Sequence, residues 1–171
     1  MSATDMIVRD ALPEDRAAVQ DLTRRSYAQY ATIMNLATWD GLRGAMESAL
    51  ASTEKAHRIV VERDGTIVGS VLLFAPATDA YGGIAQRVGW PQVRMLAVDP
   101  TARGLGVGQL LVEECVRRAH ADGATAIGLH TSISMATAMR LYTRMGFVRV
   151  PEFDFQPEGG CELVEAYRLE L

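Results

Sequence analysis

Lysine is nearly absent. Lys55 is the only one, and every other one of the 17 basic side chains is arginine. Schiff-base chemistry would therefore have a single address, in a polar stretch that suits it poorly. Cysteine is almost as scarce: Cys115 falls inside an apolar helical pattern and Cys161 in a polar loop. That is neither a disulfide framework nor a paired metal knuckle, so both are read as reduced thiols. The three histidines, His57, His120 and His130, are scattered, and no metal site is expected from them. Basic charge falls short of acidic, 17 against 21, for a net charge of −4. Proteins that grip nucleic-acid phosphates carry a basic face, so a nucleic-acid partner is disfavoured, although a phosphorylated small ligand is not. No run of about 18 uncharged apolar residues exists to span a bilayer. The segment Met1 to Arg9 has no basic stretch leading into an apolar core and cleavage site. The expectation is a cytoplasmic protein with no membrane partner.

What is present suits one domain over residues 1–171: 49% of the side chains are apolar, enough for a full core. Met6 to Arg9 reads as a short strand, and Pro13 followed by Glu14 and Asp15 opens a helix that should run to about Tyr30. A second helix is expected from Thr38 to Ser52, with Leu42, Met46, Ala49 and Leu50 at helical spacing. Between them, Tyr27, Tyr30 and Trp39 either line a substrate cleft or serve as ordinary core and rim aromatics. Arg58 to Glu62 and Thr66 to Phe74 read as strands joined by Asp64-Gly65, a pair that supplies the positive backbone angles of a tight hairpin. Ala75 to Gln92, with Pro76, Gly82, Gly83, Gly89 and Pro91, reads as an irregular loop. Val93 to Val98 is a third apolar strand stopped by Asp99-Pro100, and a long helix follows to Gly123. Ala124 to Thr131 is a strand, Met135 to Met145 a helix, and Phe147 to Val150 and Glu162 to Leu171 are strands. The order β-α-α-β-β-β-α-β-α-β-β gives an α/β (α+β) fold: a mixed sheet with helices on both faces.

The sharpest local signal is the strand, turn, glycine-rich loop and helix from Val93 to Leu111. A helix start exposes unpartnered N–H groups and about half a positive charge, and glycines let a pyrophosphate approach them. Gly104, Gly106 and Gly108 stand at every second position. This is not G-x-G-x-x-G, and no Gly-Lys-Ser/Thr follows, so dinucleotide and nucleoside-triphosphate folds are disfavoured. Glycines that merely permit a tight turn into the helix are the plainer alternative.

With Arg103-Gly104-Leu105-Gly106-Val107-Gly108 matching the signature Gln/Arg-x-x-Gly-x-Gly/Ala, the chain resembles the GNAT acetyltransferase superfamily. Ala138, Leu141-Tyr142 and Gly146-Phe147 match its downstream pattern. The resemblance implies an acyl-CoA N-acyltransferase fold whose central strands splay, with the pantetheine arm of acetyl-CoA held between them by the backbone of Leu96, Ala97 and Val98. It implies an N–H of Leu96 or Ala97 aimed at the thioester carbonyl by a bulge. It implies cofactor contacts from Arg103, Gly104, Leu105, Gly106, Val107, Gly108, Gln109 and Ala138. The net charge of −4 opposes polyanionic CoA, so attraction is expected from the helix start with Arg103 and from Arg140 or Arg144. Tyr142 is implied beside the sulfur as general acid for the leaving thiolate. The family's usual asparagine three residues before the alanine is Met135 here, and a thioether cannot replace an amide's donors. The segment Thr131-Ser132-Ile133-Ser134 offers hydroxyls to substitute for it.

The implied activity is transfer of acetyl from acetyl-CoA, as co-substrate and without a metal, to a primary amine of a small molecule. A protein or peptide amine acceptor, or a sensor that binds acyl-CoA without catalysis, are the alternatives. A homodimer, which family members often form, stays open. No general base is assigned, with His130, Glu152 and Asp154 as weak candidates. An acceptor cavity lined by Tyr27, Tyr30, Trp39 or Phe153 would favour a small amine, and Glu152, Asp154 and Glu158 would favour a cationic one.

Overall fold

Apolar β-branched runs make the strands, and their order in space makes the cleft. A computed structural model describes residues 5–52, 56–78 and 83–171. Lys55, Gly82 of the expected loop, and residues 1–4 lie outside the described residues. The strands are β1 (Met6–Asp10), β2 (Ala56–Arg63), β3 (Thr66–Phe74), β4 (Gln92–Val98), β5 (Ala126–Ser132), β6 (Val148–Arg149) and β7 (Val164–Glu170). The helices are α1 (Arg16–Tyr27), α2 (Leu36–Ala51), α3 (Val107–Ala121) and α4 (Ala136–Arg144). One seven-stranded sheet holds all the strands in the order β1-β2-β3-β4-β5-β7-β6. Every neighbouring pair is antiparallel except β4 with β5.

Side chains alternate between two apolar faces. Ile59, Val61, Val71 and Leu73 point to one face, where Val107, Leu111 and Cys115 of α3 cover them. Leu72 and Phe74 meet Ala49 of α2 on the other, and Ala97 packs there with Tyr27, Met46 and Leu50. Strands covered on both sides read as continuous apolar runs, which is why β3 shows little polar alternation. Leu111, fully buried, contributes about 1.5–3 kcal/mol of apolar transfer free energy. Between β3 and α3 the approach is close enough that a Cβ on Gly69 would lie 2.5 Å from Val107 Cγ1.

Asp64 and Gly65 hold φ of 51° and 77°, the hairpin turn expected of Asp-Gly. Several boundaries differ from the sequence expectation, the start of the first helix among them, where Pro13–Asp15 forms a 3-10 turn ahead of Arg16. The first helix ends at Tyr27, and Ala28–Thr32 continues as a 3-10 turn. The second starts earlier, at Leu36, because the Asn35 side chain accepts the Thr38 N–H at 2.9 Å and caps it. The sixth strand shrinks to two residues, since Phe147 and Val150 turn into the core and Pro151 opens a short 3-10 turn. Among the described residues, no helix is long and apolar enough to cross a membrane. Both cysteines are free thiols, and burial pushes Cys115 up to about 12, which makes it unreactive.

Candidate active site

Parallel strands β4 and β5 stay together for two residue pairs only, Gln92 with Gly128 and Val93 with Leu129. Trp90 closes the base of this junction. A Cβ on Gly128 would fall 2.3 Å from Trp90 Nε1, and the Gly128 N–H donates to the Pro91 carbonyl at 2.9 Å. Beyond Val93 the strands part, and residues 94–98 of β4 have no ladder partner on the β5 side. The fold therefore opens a wedge in its own sheet.

A bulge occupies the open edge. Ser70 pairs with Ala97 and Leu72 with Arg94, so Met95 and Leu96 together face Val71. Met95 adopts φ of 54°, unusual for a side chain other than glycine, which turns the strand and redirects its N–H groups. Ala97 is buried, its side chain committed to the core under Tyr27. The Val98 N–H is met by Ser26 Oγ from α1 at 3.3 Å.

Above the wedge, β4 runs into the glycine loop. Asp99 Oδ1 accepts the Thr101 N–H at 2.9 Å and the Thr101 hydroxyl at 2.7 Å, while Arg25 of α1 grips Oδ2 at 2.7 Å. Burial opposes the Asp99 charge, but the hydrogen bonds from Arg25 and Thr101 outweigh it and hold the carboxyl at about 2. Gly104 and Gly106 take left-handed φ of 77° and 83°, and a Cβ at either would meet nothing within 4 Å. Gly106 caps α3 without any side-chain hydrogen bond, so no side chain of the cap competes for the first N–H groups of the helix, and the space beside Gly104 and Gly106 is an open cradle. Gly108 sits where α3 meets α4 and β4, with Leu141 Cδ2 3.3 Å and Val98 Cγ2 3.6 Å from a Cβ there.

Other residues of the motif divide by role. The Val107 side chain is buried in the core, leaving its backbone for the cradle. Leu105 and Arg103 are exposed, and the Arg103 guanidinium donates to the Ser26 carbonyl at 3.3 Å. Gln109 turns along its own helix to Glu113, 2.8 Å away, and not toward the loop. Arg140 and Arg144 are both exposed on α4, with Arg140 donating to Thr137 at 3.1 Å.

A cavity of about 480 Å³ continues from the wedge beneath α2. Leu96, Ala138 and Tyr142 line it together with Tyr27, Tyr30 and His130. Tyr142 is buried, its ring 5.9 Å from that of Phe147. Met135 also lines the cavity, at the head of α4, with the Thr131 hydroxyl 3.5 Å from its sulfur. Trp39 and Phe153 are not among the lining residues. Phe153 packs edge-on against Trp90 at 5.0 Å, and Phe155 takes the place on the cavity wall.

Of the three candidate bases, only His130 reaches the cavity. Its Nε2 lies 2.9 Å from the Phe153 carbonyl, which can only accept, so the proton sits on Nε2. Burial pushes its pKa below the usual imidazole value and keeps it neutral. Asp154 is spent elsewhere: one oxygen pairs with Arg149 at 2.5 Å and the other accepts the Ala166 N–H at 2.7 Å. Glu152 and Glu158 are exposed and outside the lining. The carboxylates that do line the cavity are Asp40 and Glu162, and neither was singled out from sequence. Nothing local marks them, because α2 and the segment before β7 meet only in the fold. No group of three or more His, Cys, Asp or Glu side chains suited to a metal occurs among the described residues.

The profile of the acetyltransferase (GNAT) family matches residues 17–147. Over 89 residues the chain is 36% identical to IAA acetyltransferase of Azospirillum brasilense, covering 52% of each protein. Over 91 residues it is 36% identical to mycothiol acetyltransferase of Sanguibacter keddieii, covering 53% of this chain and 28% of that one. The match thus spans about half, or less, of the length of these curated relatives. Among solved structures, the GCN5-related N-acetyltransferase of Rhodopseudomonas palustris aligns over 100% of this chain and 99% of its own, with a TM-score of 0.74 at 20% identity. The yncA protein of Salmonella typhimurium, solved with its cofactor acetyl-CoA, aligns over 97% and 94% with a TM-score of 0.65 at 19% identity. At such identities these likenesses establish the fold alone, whereas the profile spans most of the sequence, the glycine loop and α4 included: the chain belongs to the GNAT acetyltransferase family.

Proposed function

We propose that this chain acts as one catalytic domain that transfers acetyl from acetyl-CoA to a primary amine of a small molecule. The observation that carries the proposal is the wedge between β4 and β5, with its bulge at Met95 and Leu96, leading to an open glycine cradle at the start of α3. The cradle suits the pyrophosphate of CoA, and the unpaired edge of β4 suits an extended amide-bearing arm that hydrogen-bonds as a strand would. For the arm to bond along Leu96, Ala97 and Val98, it must displace Ser26 from the Val98 N–H or share that donor with it.

The chemistry follows from the chain's own groups. The neutral amine attacks the thioester carbon, a C–N bond forms, and the C–S bond breaks. The N–H of Leu96 or Ala97 stabilises the oxyanion, a donor fixed in advance by the bulge. Tyr142 gives its proton to the leaving thiolate. A phenol of pKa ~10 protonating a thiolate whose acid has pKa ~8.5 is uphill by roughly 2 kcal/mol, so a strong hydrogen bond supplies much of the effect. Attack needs an amine that has lost its proton, and His130, a residue of the cavity lining, is the candidate to receive it directly or through water.

A cavity of about 480 Å³ walled by Tyr27, Tyr30 and Phe155 is of the size that takes a small molecule, which supports a small acceptor. The names of the relatives divide between IAA and mycothiol on one side and, on the other, an N-alpha-acetyltransferase of Saccharomyces cerevisiae matched over 33% of its length. Calorimetry with acetyl-CoA tests the first half of the proposal. Sub-millimolar binding is expected, and Gly108→Asp should abolish it by placing bulk against Leu141 and negative charge in the cradle. Absent binding, or binding unchanged in the variant, refutes the assignment.

A further inference from the structure

We propose that Glu162 makes the acceptor cavity selective for an amine carrying a second positive charge, so that the substrate class is diamines and related aminoalkyl cations. This rests on the acetyl-transfer reading for the identity of the reaction, though not for the existence of the cation site.

Glu162 is held from two directions. Its N–H donates to the Thr38 hydroxyl at 2.9 Å, and the Ser134 hydroxyl donates to Oε1 at 2.5 Å. Its other oxygen, Oε2, is closed off from water with no hydrogen-bond partner, and the carboxylate has no ion pair among the described residues. Ser132 Oγ is buried and unpartnered in the same way. Both residues line the cavity, and Ser132 pairs with Val164, two positions from Glu162. An ionised carboxylate offers about four acceptor sites, and one is filled here. Oε2 is shielded as the side chain stands, so a donor in the cavity meets the carboxylate at Oε1 or after the side chain turns, and it meets a charge that no cation of the described residues pairs with.

The surroundings fit a cation. The other ionisable groups lining the cavity, besides its tyrosines and Cys161, are Asp40, Arg94 and His130, and burial keeps His130 neutral. Arg94 lies on β4, separated from β7 by β5 in the sheet. Tyr27, Tyr30 and Phe155 offer ring faces, which attract ammonium groups. An ammonium brings three donors and a positive charge to a carboxylate that has no ion pair among the described residues. The reacting nitrogen must be neutral to attack a thioester, so a charge held by Glu162 throughout turnover belongs to a different group on the acceptor.

The test compares 1,5-diaminopentane with pentylamine, which puts a methyl where the diamine has its distal ammonium. At saturating acetyl-CoA, kcat/KM should favour the diamine by about tenfold or more, through KM, as a charged hydrogen bond warrants. Glu162→Gln keeps the size and the Ser134 bond, and should erase the preference with acetyl-CoA affinity unchanged. Equal use of both amines by the wild type, or a preference surviving in Glu162→Gln, overturns the proposal. So does a fall in kcat of the same factor for both amines, which would mark Glu162 as a proton acceptor. Should the variant fail to fold, calorimetry on the wild type decides: tighter, salt-sensitive binding of the diamine supports the site, and equal or absent binding overturns it. If acetyl-CoA does not bind but the diamine binds in a Glu162-dependent way, acetyl transfer fails and the cation site stands. If acetyl-CoA binds and the two amines behave alike, the reverse holds.

Discussion

Met95 carries more of the proposed chemistry in its backbone than in its side chain. A methionine at φ of 54° is strained by about 1–3 kcal/mol, held there by the pairing of Ser70 and Leu72 on either side of the bulge. Nothing in the letters around Met95 announces this. Tyr142 is the opposite case, since its place after Leu141 was legible from the motif and the fold puts it on the cavity wall. For Tyr142→Phe we expect kcat to fall roughly 10-fold to 100-fold with acetyl-CoA affinity within about twofold, because the phenol acts on the leaving thiolate and not on the ground state. Steady-state kinetics with calorimetry checks this, and unchanged turnover removes the acid role. The acidic stretch around Glu152, Asp154 and Glu158 was legible as charge but misleading as function. Asp154 serves Arg149 and the Ala166 N–H, and the carboxylates at the cavity are Asp40 and Glu162.

At the scale of elements, the wedge depends on where β4 and β5 are pinned together. Gly128 and Trp90 form that pin, and Arg168 stacks over the indole at 5.0 Å. Gly128→Ala would drive a methyl into the ring, a form of overpacking that costs typically 1–3 kcal/mol. We expect a loss of that order in chemical denaturation, with acetyl-CoA affinity falling too because the parting of the strands shifts. Stability and affinity both unchanged would show that the ring yields freely and that the pin is unimportant. Almost every element was readable from hydrophobic period and turn chemistry, down to the Asp64-Gly65 hairpin. The misplaced boundaries lie where a cap or a turn decides, as with Asn35 ahead of α2, and a one-residue cap is a faint mark in a sequence.

Across the whole molecule, the ion pair of Arg25 with Asp99 ties α1 to the turn that leads into the cradle. The Asp99 carboxyl is held at about 2 against an ordinary 3.8, so the folded state binds its proton less readily than the unfolded chain. Its contribution, about 2 kcal/mol, is present in full above about pH 4 and is lost as the pH falls toward 2. Asp99→Asn should therefore destabilise the protein at pH 7, and the gap from wild type should close as denaturation is repeated toward pH 2. A gap independent of pH would mean that packing, and not charge, holds the turn. The net charge of −4 opposes a polyanion such as CoA at long range, which leaves attraction to the local N–H groups of α3 and to arginines near the loop.

Composition, period and two spaced motifs were enough to determine the class of fold, the order of its elements, the family and the positions of the glycine loop and Tyr142. Those are local properties, written in consecutive residues as turn chemistry and side-chain alternation. Only the tertiary structure decided that β4 and β5 part after two pairs, that Met95 and Leu96 share one partner, and that Glu162 meets Ser134 and Thr38 at the end of the cavity. The reason is physical. Strand register, bulges and the walls of a cavity arise from contacts such as Leu72 with Arg94, 22 positions apart, and Thr38 with Glu162, 124 apart, and such contacts leave no period in the chain.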